Sequence, residues 1–155
     1  MEIKRKVVCT STGCIEYAPE RYRQLGIDII RIHVLFKGKE YLEGLDLDPD
    51  AFYKELETLE DPKNNLPRTA MPTEDEIKAC FDKAYEEGCK EVIVIALSAY
   101  LGGTWNLIRL ISEQDKDKMT IHVIDSKIAC FGEGMLAILA EIHIILAEVF
   151  DILSQ

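Results

Sequence analysis

The sequence predicts an α/β domain, a mostly parallel sheet flanked by helices, and three observations carry that prediction. Short, largely apolar runs rich in β-branched residues recur at 7–9, 27–36, 91–97 and 119–124. Segments with apolar residues at helical spacing separate them, as right-handed crossovers between parallel strands require. The run 91–97 is preceded by Gly88 and reads Glu-Val-Ile-Val-Ile-Ala-Leu, the pattern of a central strand buried on both faces.

In chain order, residues 3–9 form the first strand and end in the hydroxyl-rich loop Thr10-Ser11-Thr12-Gly13. Pro19 opens a helix over 18–25 and Gly26 closes it. The second strand spans 27–36, and Lys37-Gly38-Lys39 turns the chain into a short return at Tyr41-Leu42. Asp48 caps a helix with Pro49 at its first position and Phe52, Leu56 and Leu59 on one face. Residues 61–68 are polar, contain two prolines and read as loop. Thr73 with Glu76 has the form of a capping box for a helix through Glu87, which buries Ile77, Cys80, Phe81 and Ala84 and stops at Gly88. Beyond the central strand, Leu107, Ile108 and Ile111 mark the next helix, and Trp105 reads as a packing residue. Residues 119–124 form the last strand, ending in Asp125-Ser126-Lys127.

From Gly134 to Phe150 the chain is apolar almost all round. Glu141, His143 and Glu148 interrupt it, and central charges are costly in a bilayer, so a membrane span is not expected. A helix lying across the sheet is expected instead, with an outer face left for another domain or subunit. That face predicts a homo-oligomer, most simply a twofold dimer.

Composition excludes several classes. A net charge of −10 and a pI of 4.8 repel phosphate backbones and anionic membranes, so no nucleic-acid partner is expected. The five cysteines form no CxxC pair, and the start Met-Glu-Ile-Lys-Arg-Lys is no signal peptide. They read as reduced, mostly buried thiols of a cytoplasmic protein. The three histidines lack metal-ligand spacing, so neither metal nor cofactor is expected.

Three strand-end loops carry hydroxyls: Ser11 and Thr12, Ser98 and Thr104, and Ser126. In a parallel sheet they emerge at one edge, where ligands of such sheets bind. With the amides of Gly102 and Gly103 they offer neutral donors, which suits a small carboxylate. Thr69 lies outside the capping box, so its hydroxyl is free for other use. A hydrolase or transferase with a Ser98 or Ser11 nucleophile is the competing class. It needs a base and an oxyanion donor pair; there is no Gly-x-Ser-x-Gly elbow, and the available imidazoles are His33, His122 and His143. A non-binding, dimerising fragment is the third class.

The order of several short motifs resembles the DegV family of bacterial fatty-acid-binding proteins. They are Val8-Cys9-Thr10-Ser11-Thr12; Gly38-Lys39-Glu40-Tyr41 with Gly44 and Asp46; Asp50-Ala51-Phe52-Tyr53; Pro67-Arg68-Thr69-Ala70-Met71-Pro72-Thr73; Leu101-Gly102-Gly103-Thr104; and Val123-Ile124-Asp125-Ser126-Lys127. The resemblance runs to about Gly134 and implies a single α/β domain over 1–155 like the family's N-terminal domain, with the C-terminal domain that closes the lipid tunnel absent. It further implies non-catalytic binding of a long-chain fatty acid, whose carboxyl is presented to a fatty-acid kinase. By position, Thr69 matches the family threonine that contacts the carboxylate, and Ser98 the first serine of its central loop. Tyr100, beside that loop, is a packing residue or a lining of the acyl tunnel. Thr10, Met71, Ala99 and Gly102 stand where the family has Asp, Gln, Ser and Ser, which removes donors from the expected site.

Overall fold

The computed structural model describes residues 3–153. Its strands are β1 (Arg5–Thr10), β2 (Asp28–Ile30), β3 (His33–Phe36), β4 (Lys39–Leu42), β5 (Arg68–Ala70), β6 (Glu91–Ala96) and β7 (Thr120–Asp125). Its helices are α1 (Glu20–Arg23), α2 (Pro49–Glu57), α3 (Pro62–Asn65), α4 (Glu74–Glu86), α5 (Thr104–Ser112) and α6 (Phe131–Leu153). The expected parallel sheet has the order β2-β1-β6-β7, with Val8 opposite Val94 and Ile95 opposite Ile124.

Alternation along the strands divides the core in two. Val8, Val92, Val94 and Ala96 face Ile77 and Phe81 of α4 and Ile108 and Ile111 of α5. Val7, Cys9 and Ile95 pack on the other side, with Ile15 and with Ala137 and Ile144 of α6. Each such buried aliphatic side chain contributes about 1.5–3 kcal/mol, so a strand with both faces covered is fixed in register.

Local chemistry sets the helix ends where expected. The Asp48 carboxylate accepts from the Ala51 N–H at 2.7 Å. The capping box is complete: Glu76 N–H donates to Thr73 Oγ1 at 3.2 Å, and Thr73 N–H to Glu76 Oε2 at 2.7 Å. Gly88 takes φ of 84°, which releases the chain from α4.

The expected strand over 27–36 is broken in two. β2 belongs to the parallel sheet, whereas β3 joins β4 and β5 in a separate antiparallel sheet of order β4-β3-β5. Long-range bonds pull the intervening residues out of the ladder. Ile32 N–H donates to Ser11 Oγ, Glu43 N–H donates to the Ile32 carbonyl, and Arg31 pairs with Glu16. Two further expectations are corrected. The helix over 18–25 is only the single turn α1, preceded by a 3-10 turn at Ile15–Tyr17. The segment read as loop holds the one-turn α3, and its last residue, Arg68, begins β5. The cysteines are also less buried than expected, since Cys14 is half-buried and Cys130 exposed.

Helix α6 begins at Phe131, earlier than the apolar pattern suggests. One face lies on the sheet, while Leu139, Leu146 and Val149 are exposed, as is His143. Among the described residues no helix is long and apolar enough to cross a membrane.

One buried polar group ties the antiparallel sheet to α4. His33, only 8% exposed, lies with Nε2 2.9 Å from Glu76 and Nδ1 2.6 Å from Glu40. The Glu40 contact is an ion pair without the alignment of a hydrogen bond. The Glu76 bond, aided by both carboxylate charges, raises the His33 pKa above its ordinary 6.5. The resulting stabilisation is complete below pH 6.5 and is lost as pH rises through the higher folded value. Urea midpoints should therefore fall for the wild type across that window and stay flatter for His33→Gln. Parallel pH profiles would remove His33 from the balance.

Candidate ligand site

The loops after β1 and β6 meet at the carboxyl edge of the parallel sheet. Thr10, the last residue of β1, accepts a hydrogen bond from the Leu97 N–H at 3.0 Å, where the central loop begins. Ser98 N–H then donates to the Ile128 carbonyl, Ser126 N–H to the Ala96 carbonyl, and Ala99 N–H to Asp125 Oδ1. Residues 97–101 and 125–128 are therefore laced together.

Beneath this edge lies a group that sequence reasoning missed. Glu133, in the first turn of α6, is fully buried and accepts from the hydroxyls of Thr10 and Thr12, the latter at 2.8 Å, and from Cys9 Sγ at 3.5 Å. Burial raises its pKa above 4.5, against the opposing effect of those donors, and the nearby Glu43 charge adds to the rise. Thr10 and Thr12 also lie 2.9 Å from each other, so the two hydroxyls and the carboxyl form one cluster. The only hint in the sequence is Gly132-Glu133-Gly134, an acid between glycines just before the apolar run.

The expected donors fall into two groups. Ser11 donates to Glu43 at 2.6 Å and accepts from Ile32 N–H, Thr12 is held by Glu133, and Ser126 bonds both polar backbone groups of Ile128. These hydroxyls hold the framework. Ser98 is buried and accepts from Tyr100 N–H at 3.3 Å, and its O–H donates in none of the hydrogen bonds of the described residues. Gly102 and Gly103 are exposed, and Gly103 precedes α5, whose buried first residue is Thr104. Tyr100 is 98% exposed and is not among the residues that line the cavity beside Thr69.

Thr69 sits in β5 opposite Val34. Both line a cavity of about 430 Å³ between the antiparallel sheet, α2 and the turn after β1. Its walls are mostly apolar, including Tyr17, Leu47, Phe52, Tyr53 and Pro67, with Glu43, Arg68 and Cys14 among the polar members. Phe52 is fixed by an edge-on contact with Phe36, their ring centroids 5.2 Å apart. The segment leaving β5 passes over the central loop, because a Cβ on Gly103 would lie 2.7 Å from Met71 Sδ. Glycine at this position leaves room for Met71. Of the expected donors, Thr69 lines this cavity, whereas Ser98, Gly102, Gly103 and Thr104 are not among its lining residues.

The histidines do not serve the serines in this arrangement. His33 is engaged by Glu40 and Glu76, while His122 and His143 are exposed on β7 and α6.

Comparison with known proteins places this geometry in context. A family model described as "Uncharacterised protein, DegV family" matches residues 4–144. A DegV domain-containing protein of Listeria innocua is 33% identical over 141 residues, covering 90% of this chain and 47% of that protein. The crystal structure of DegV, a fatty acid binding protein from Bacillus subtilis, superposes with a TM-score of 0.78 at 29% identity, over 90% of this chain and 47% of that one. A fatty acid binding DegV family protein from Streptococcus agalactiae gives a TM-score of 0.74 at 25% identity, over 88% of this chain and 46% of that one. The chain spans about half the length of the relatives it matches. In sequence and in fold alike, it belongs to the DegV family.

Proposed function

We propose that this chain binds a long-chain fatty acid without chemical change and presents its carboxyl group to a fatty-acid kinase. The observation that carries the reading is the position of Thr69 on the wall of a largely apolar cavity of about 430 Å³. That volume lies within the roughly 300–1,000 Å³ typical of small-molecule sites, and the walls suit an acyl chain. Thr69 and Ser98 donate to the carboxylate, helped by the amides of Gly102 and Gly103 and by the N-terminal end of α5 at Thr104. Ser11, Thr12 and Ser126 hold the loops that carry these donors. The relatives from B. subtilis and S. agalactiae are fatty acid binding proteins, which supports the same ligand class here.

The absence of catalysis belongs to the same proposal. It is supported by the engagement of His33 with two carboxylates and by the acceptance of a backbone N–H by Ser98 Oγ. Neither arrangement prepares a serine nucleophile with a base.

Thr69→Val tests the carboxylate contact. The variant should bind a fluorescent fatty acid about 1–3 kcal/mol more weakly, about thirtyfold in Kd at the middle of that range. Thermal stability should hardly change, since Thr69 is exposed and valine suits a strand. Equal affinity in the two proteins would remove Thr69 from the site.

A further inference from the structure

Two of the five cysteines flank a crossing of two backbones beside the cavity. Cys14 ends the turn after β1 and lines the cavity; Cys130 immediately precedes α6 and is exposed. Gly13, the chain neighbour of Cys14, touches Gly134, which lies one helical turn past Cys130. A Cβ on Gly13 would lie 3.1 Å from Gly134 N, and Gly134 N–H itself donates to the Cys130 carbonyl at 3.4 Å. Both cysteines have φ of 56°, a left-handed conformation uncommon outside glycine and concentrated at functional or strained positions. The other three thiols are placed differently: Cys9 is buried against Glu133, Cys89 is buried in the opposite core, and Cys80 packs against that same core.

We propose that Cys14 and Cys130 form a reversible disulfide under peroxide, which fastens the first turn of α6 to the wall of the cavity. The accessible Cys130 reacts first. Its thiolate attacks one peroxide oxygen, the O–O bond breaks, and hydroxide leaves to become water, giving a sulfenic acid. Cys14 sulfur then attacks Cys130 Sγ, the S–O bond breaks, and the departing hydroxide takes the Cys14 proton. Two thiols and one hydrogen peroxide thus give one disulfide and two waters. Burial holds the Cys14 pKa up, and a charge on Cys130 raises it more than Glu43, Glu133 or Glu16 does. The new bond replaces the contact of Cys14 Sγ with the Thr12 carbonyl at 3.4 Å.

The proposal is independent of the ligand reading. Its test is hydrogen peroxide treatment of the folded chain at low protein concentration, followed by non-reducing peptide mapping and thiol counting. Free thiols should fall from five to three, with a Cys14–Cys130 linked peptide as the main product. Dithiothreitol should restore all five. Cys14→Ser and Cys130→Ser, each checked for a native circular dichroism spectrum, should both lose the linked peptide, and Cys80→Ser should keep it. A folded chain that gives only over-oxidised Cys130, only intermolecular Cys130 dimers, or a disulfide with Cys9, Cys80 or Cys89 would overturn the proposal. Any variant without a native spectrum is replaced by its alanine counterpart.

Discussion

Gly134→Ala is expected to destabilise the fold by about 3 kcal/mol, although alanine normally improves a helix by about 1 kcal/mol over glycine. The sign reverses because α6 crosses the turn after β1 at this residue. An added Cβ would lie 2.1 Å from the Gly13 carbonyl oxygen and 3.2 Å from Ile15 Cγ1. The nearest of these atoms is backbone, so relief requires moving α6 away from the sheet, and Ala137 and Ile144 lose packing. For a domain of this size the melting temperature should fall by about 10 °C. Gly132→Ala is the internal comparison, because the three atoms nearest its Cβ would all belong to the Ile128 side chain. It should be close to neutral. Equal melting temperatures for Gly134→Ala and the wild type would show that the crossing is looser than described.

Glu133→Ala should cost a similar amount, about 3 kcal/mol, through a different mechanism. Truncation leaves a cavity and takes the acceptor from Thr10, Thr12 and Cys9 in a buried site. Glu133→Gln should cost less, because an amide oxygen still accepts, and its pH dependence tells the two proteins apart. The Glu133 pKa is raised in the fold, so the wild type has its full contribution below pH 4.5 and loses it as pH rises through the higher folded value. The glutamine variant has no such loss, and its deficit in urea midpoint should shrink over that interval. A deficit that stays constant or grows with pH would mean that the carboxyl is ionised in the fold at all these values.

These two residues also show how far the sequence can be read by itself. Patterns carried by near neighbours were readable. The Thr73 and Glu76 box, the Asp48 cap and the four parallel strands depend on spacings of a few residues or on the composition of one run. Features that depend on distant partners were not. The run over 27–36 leaves one sheet for another because Ser11 and Glu43 bond the backbone of Ile32, and nothing within the run signals this. β5 escaped notice because three residues, two of them exposed, follow Pro67 and make no apolar pattern. Glu133 reads as an ordinary polar residue until the fold brings it to Thr10 and Thr12.

The candidate site divides in the same way. That hydroxyl-bearing loops gather at one sheet edge follows from parallel topology, so the placement of Ser98 near Asp125 and Ser126 was accessible from sequence. Which hydroxyls remain for a ligand was not, since that depends on Glu43 and Glu133 engaging Ser11 and Thr12. The cavity was not visible either. Val34 and Thr69 face Phe52 only because β3 and β5 pair and α2 covers them.

The central claim is that the cavity bordered by Thr69 receives an acyl chain, and isotope-filtered nuclear Overhauser spectroscopy tests it most directly. Uniformly ¹³C-labelled palmitate is added to unlabelled protein, and contacts from the acyl methylenes are assigned. The account predicts saturable binding, with contacts to the Val34 methyls and to the Phe52 and Tyr53 rings. Absence of saturable binding, or methylene contacts confined to the exposed face of α6 at Leu139 and Leu146, would contradict it.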